Sequence, residues 1–430
     1  MKFYSIHKSR FQPYILFLLL CTLFMACNDK PMSNKATAAG NLGIQDLSLN
    51  DISILWPVPQ NAKDVGLLLS ANTTIGNTEI WPEDQFNQVV SMARDSLQIP
   101  NFPSPPEFKQ ITFVYGNDSS LLKRENWKVV GFRVDPAAPS TNQAVIDVVG
   151  TIPQIRLVVQ PVTLQGNQVV VHDFTAHLPF SYTLNGQQPF QPDTAAFKSI
   201  LDDVVKIKEY VEGMRKLNTD TLLQVNPGLK YKVPGYADKI EAFLNKHLPK
   251  GRLELIAFMG LAPRPEPWIF FDMARAPSFQ ILNTQNTLNM AGPPIQRPNR
   301  NWIDNQGVST AVLYHMNLQL DAPAISGDSL PLNRDIPNII ANPSYCNVLN
   351  TDCISCHSES TRRSILNLKG DLNYAFSREP LVQDDLLPTD IYNVRNFGWF
   401  GNAGETAKPI ISMRTANETA NALEYIKSHY

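Results

Sequence analysis

The chain has 430 residues, 43% of them hydrophobic and only 18% charged. That is too apolar for a disordered chain and too sparsely charged for a coiled coil or a charged tail. Lysine and arginine number 37 against 39 aspartates and glutamates, so the net charge of −2 leaves no basic excess to hold nucleic acid.

Residues 1–26 read as an export signal rather than as part of a fold. Lys2, Lys8 and Arg10 form a basic start, and an apolar run follows from Tyr14 to Ala26. Its 13 residues are too few to span a bilayer and suit the core of a signal peptide. The run closes on Leu23-Phe24-Met25-Ala26-Cys27, which resembles a bacterial lipobox. The resemblance implies cleavage after Ala26 and lipidation of Cys27, although Phe24 stands where the lipobox prefers Leu or Val. A plain secretory signal with an incidental cysteine is the alternative. The polar residues that follow make 27–44 a flexible tether.

From about Leu47 to Tyr182 the pattern is mainly strand. Ile111–Tyr115, Trp127–Val134 and Ile155–Val159 are β-branched or aromatic runs bounded by Pro, Gly, Asn or Asp. A helix is expected around Glu83–Leu97, where Phe86, Val89, Val90 and Met92 recur at helical spacing. Between Asp193 and Leu248 the period changes. Phe197, Ile200, Leu201, Val204, Val205, Ile207 and Val211 mark one helix, and Ala237–Leu248 a second. Strands resume at Leu253–Met259, Trp268–Met273 and Ala311–Leu320. The expectation is an α+β chain: a β-rich, sandwich-like body over 45–325 with a helical insertion, then a smaller unit over 326–430. The stretch Asp321–Tyr345, rich in Pro, Asn and Asp, reads as the connection.

The second unit carries the sharpest motif, Cys353-Ile354-Ser355-Cys356-His357. C-x-x-C-H is the attachment signature of c-type haem. Two thiols separated by two residues reach neighbouring vinyl groups, and the next residue turns its imidazole under the iron. At this chain's Cys and His frequencies the pattern arises by chance about 0.001 times. A redox disulfide, or a zinc site with Cys346 as third thiolate, is the structural alternative. Against zinc, no second C-x-x-C or H-x-H pair completes a finger. With Cys21 leaving in the signal and Cys27 lipidated, only Cys346 of the five cysteines is left over.

On this motif the last 90 residues resemble a small class I cytochrome c domain, mostly α-helical, covering about a fifth of the chain. The resemblance implies one covalent haem c on Cys353 and Cys356, His357 as proximal iron ligand and a downstream methionine as distal ligand. Met413 is the only methionine after His357, 56 residues on. A closing helix follows, with Thr415 and Glu418 at capping-box spacing and Ala420, Leu423 and Ile426 on one face. Phe397-Gly-Trp-Phe400 offers aromatic surface to cover a haem. Arg414 replaces the proline that commonly follows the ligand methionine, and Pro343 interrupts the helix that usually precedes the motif.

Other candidates read as structural. His172 and His177, five apart in a strand, face opposite sides, as do His315 and Met316. His429 sits in the last helical turn, where a positive charge suits the dipole. Arg362, Arg363 and Arg395 offer either propionate neutralisation or a solvated surface. Asp202-Asp203 and Asp384-Asp385 are adjacent in sequence and need not converge as acid/base pairs. No G-x-G-x-x-G, P-loop, G-x-S-x-G or H-E-x-x-H occurs. The functional expectation is an exported single-haem electron-transfer protein in a bacterial envelope. It is lipid-anchored on the periplasmic side or the outer-membrane surface and exchanges electrons with donor and acceptor proteins. A haem enzyme, peroxidase-like or another oxidoreductase, and a surface binding module with a haem sensor are the alternatives.

Overall fold

In the computed structural model, residues 42–76, 78–87, 122–172, 174–186, 189–214, 222–248, 253, 255–261, 268–275, 279–282, 337–347, 359, 363, 375–377, 379–388, 396–400 and 406–430 are described. The strands are β1 (Ser53–Leu55), β2 (Thr74–Ile75), β3 (Thr78–Glu79), β4 (Trp127–Ala138), β5 (Ile152–Gln165), β6 (Gln168–Val171), β7 (Phe174–Ser181), β8 (Leu255–Leu261), β9 (Trp268–Arg275), β10 (Phe279–Leu282), β11 (Phe397–Phe400) and β12 (Lys408–Ile411). One antiparallel sheet runs in the order β1-β4-β5-β7-β8-β9-β10, with β6 paired to β5. The longer helices are α1 (Gln143–Val149), α2 (Thr194–Met214), α3 (Tyr236–His247) and α4 (Met413–His429). The chain is therefore α+β.

A bulge in β4 explains how a strand apolar on both faces keeps its register. Val129 pairs with Val159, but the next aligned pair is Gly131 with Val158, so Val130 is the inserted residue. The insertion flips the alternation. Trp127 and Val129 before it, and Phe132 and Val134 after it, all enter the same core. Ile155, Leu157 and Val159 of β5 and Phe174, Ala176, Leu178 and Phe180 of β7 continue that face.

Helices α2 and α3 cover this face. Phe197, Ile200, Leu201 and Val204 recur at three- and four-residue spacing and are buried, as are Ile240, Phe243 and Leu244. Phe243 stacks on Phe132 at 5.9 Å between centroids. Both helices lie where the period change places them.

Val130, Val158 and Val162 face the other way, into a second core. Its cover is the β11–β12 hairpin and the start of α4, contributed by Phe397, Trp399, Ile411 and Ala416. Gly131 is required here. A Cβ on it would stand 2.6 Å from the Phe397 ring and 3.0 Å from the Ile54 carbonyl. Farther along α4, Ala422 and Ile426 enter the first core. The closing helix thus contributes to both cores of the sheet, and residues 42–430 group as one unit. In place of a second large sheet, the cover among the described residues is helical plus this hairpin. Ile111–Tyr115 and Ala311–Leu320 lie outside the described residues, as does most of the helix expected at Glu83–Leu97.

Candidate functional site

Cys353, Cys356 and His357 lie outside the described residues, as do Cys27, His315, Met316, Arg362 and Arg395. The structure describes the anchors on either side of the motif. Upstream, residues 337–341 form a helical turn, and 337–343 and Cys346 are buried. Downstream, Glu359 and Arg363 are helical, and Arg363 Nε donates to Glu359 Oε1 at 2.8 Å. Arg363 Nη1 also donates to Asn338 Oδ1 at 2.6 Å. That bond closes a loop that begins at the upstream turn, contains the whole motif and ends just beyond it. Arg363 is 12% exposed, and its guanidinium is engaged by these two partners.

A second set of anchors comes from α4. Arg414 Nη1 donates to the carbonyls of Ile340 at 2.9 Å and Cys346 at 2.8 Å, and Asn417 Nδ2 donates to that of Ala341 at 2.8 Å. Those of Ile340 and Ala341 are carbonyls that the short helical turn leaves without intrahelical partners. Arg414 Nε is spent on Glu418 Oε1 at 2.7 Å. Arg414 therefore has a structural use: it ties the approach to the motif onto the closing helix.

The network continues into the sheet. The β4–β5 register sets Arg133 directly opposite Arg156, a like-charge pair that is unfavourable unless acids intervene. They do. Asp135 lies 3.5 Å from Arg133 and 3.6 Å from Arg156, and Glu418 lies 3.0 Å from Arg133. Burial acts against the Glu418 carboxylate, but Arg414 and Arg133 outweigh it, and its pKa falls to about 2. Sequence reasoning missed this network. The available signal was Arg133 and Asp135, two apart on one face of a strand whose only other charged residue is Lys128.

Helix α4 begins earlier than the capping-box spacing predicts. Ser412 is the N-cap, its hydroxyl accepting from Thr415 N at 3.1 Å, so Met413 is the first helical residue. Glu418 serves the arginines instead of a cap. Ahead of the cap there is β12. The Met413 side chain is partly buried and packs against the second core. The structure thus places Met413 one residue from the Arg414 anchor, with its side chain packed on the body.

The aromatic run is committed as well. Trp399 is fully buried, its Nε1 donating to the Trp56 carbonyl at 2.8 Å. Gln160, also fully buried, holds its backbone from both sides, accepting from Trp399 N at 2.7 Å and donating to Trp399 O at 2.9 Å. Gly398 permits the approach, since a Cβ there would stand 2.4 Å from Gln160 Oε1. Phe397–Phe400 is a strand docked on the sheet, not free aromatic surface.

The remaining candidates stay apart. His172 Nε2 lies 2.7 Å from Thr163 Oγ1, and His177 sits in β7 opposite Val158. His429 stacks on Tyr425 at 3.9 Å, its Nδ1 2.9 Å from the Tyr425 carbonyl. Asp202 pairs with Lys198, while Asp203 meets Lys206, Lys246 and His247. Among the described residues no group of three or more His, Cys, Asp or Glu comes together to hold a metal, and no helix is long and apolar enough to cross a membrane. Compared with protein-family models, curated proteins and solved structures, the chain matches none of them.

Proposed function

We propose that this chain is an exported, lipid-anchored c-type cytochrome protein that carries single electrons between a donor and an acceptor protein. The observation that carries the reading is the donor set Cys353, Cys356 and His357 in C-x-x-C-H order. Two thiols and an imidazole at that spacing would suit one covalent haem c, and the Met413 thioether would be a soft second donor to its iron. Bound there, haem c supplies reversible one-electron exchange between Fe(III) and Fe(II).

The chain's own residues support that task by holding the motif. Arg363 and Asn338 close the loop that contains it, and Arg414 and Asn417 bind the approach to the helix that completes both cores. The β-rich body presents the remaining surface for docking a partner. Cys27, after the apolar run and before a polar stretch, supplies the membrane attachment at the envelope. A Cys27→Ser variant is expected to move to the soluble fraction.

One observation favours a second reading. The Met413 side chain packs against the second core of the body. If it stays there, a bound haem would lack Met413 as ligand and could meet a small molecule such as peroxide, and the protein would be a haem enzyme. An absorption spectrum of the purified protein with a covalent-haem stain on a denaturing gel tests the proposal. A red, stain-positive chain with six-coordinate iron supports electron transfer, a stain-positive chain that already binds carbon monoxide supports the enzyme, and a colourless zinc-bearing chain overturns both.

A further inference from the structure

We draw no further inference here: the strongest candidate, the cavity of about 20 Å³ between α4, the end of β4 and Pro343, is lined by two guanidiniums (Arg133, Arg414) and two carboxylates (Asp135, Glu418) that already pair with one another, and nothing there selects a ligand.

Discussion

The Arg414 guanidinium donates to the Cys346 carbonyl at 2.8 Å, joining the second residue of the closing helix to a point seven residues before Cys353. The same group serves Ile340 O and Glu418, so one side chain links the helix, the approach to the motif and the ionic network of the sheet. Arg414→Ala leaves two carbonyls and a carboxylate short of their partner. The expected cost is roughly 2–4 kcal/mol, read as a lower urea midpoint. Arg414→Lys should recover only part, because an ammonium lacks the fork that reaches all three acceptors.

Glu418 sets an acid limit on stability. Its folded pKa of about 2 lies below the ordinary value of 4.5, so the stabilisation is complete above pH 4.5 and is lost as pH falls toward 2. Roughly 2 kcal/mol should disappear across that window. Glu418→Gln should be less stable at pH 7 and should lose that part of the acid dependence, measured by urea unfolding at stepped pH.

Gln160 is a buried amide with both ends committed to Trp399. Gln160→Leu keeps the volume but leaves Trp399 N and O without those bonds in a dry core. A loss of roughly 2–3 kcal/mol is expected. The emission spectrum should shift to the red if β11 lifts from the sheet and Trp399 meets water. An unchanged midpoint and spectrum would show that the hairpin does not depend on this clamp.

Much of the first core was legible from periodicity. Phe197 to Val211 and Ala237 to Leu248 are helical because their apolar residues recur every three or four positions, and Trp127–Val134 is a strand because β-branched and aromatic residues crowd it. The second core was not. Phe397–Phe400 reads as a loose aromatic run until β12 pairs with it and Gln160, 239 residues away from Trp399, clamps it. Arg133 and Glu418 meet across 285 residues, beyond any local pattern. The helix start was misplaced because Thr415 and Glu418 mimic a capping box, while Ser412 makes the cap and Glu418 turns to arginines. The motif itself is legible only in the sequence, and the structure adds what holds its flanks.

Met413→Ala separates the two haem readings. As a half-buried core side chain it should cost about 1–2 kcal/mol of stability. If Met413 is also the distal ligand, the oxidised protein should lose its weak sulfur-to-iron band at the red end and begin to bind carbon monoxide. A parent protein that lacks the band and already binds carbon monoxide keeps Met413 in the second core and favours the enzyme.

Everything proposed for the motif depends on Cys353 and Cys356 carrying one haem between them. Mass spectrometry of the proteolytic peptide spanning Thr351–Arg362 from the exported protein reads this out. A single haem adduct on that peptide is expected, lost in Cys353→Ser/Cys356→Ser. An unmodified peptide with two thiols, or one carrying only an internal disulfide, would contradict it.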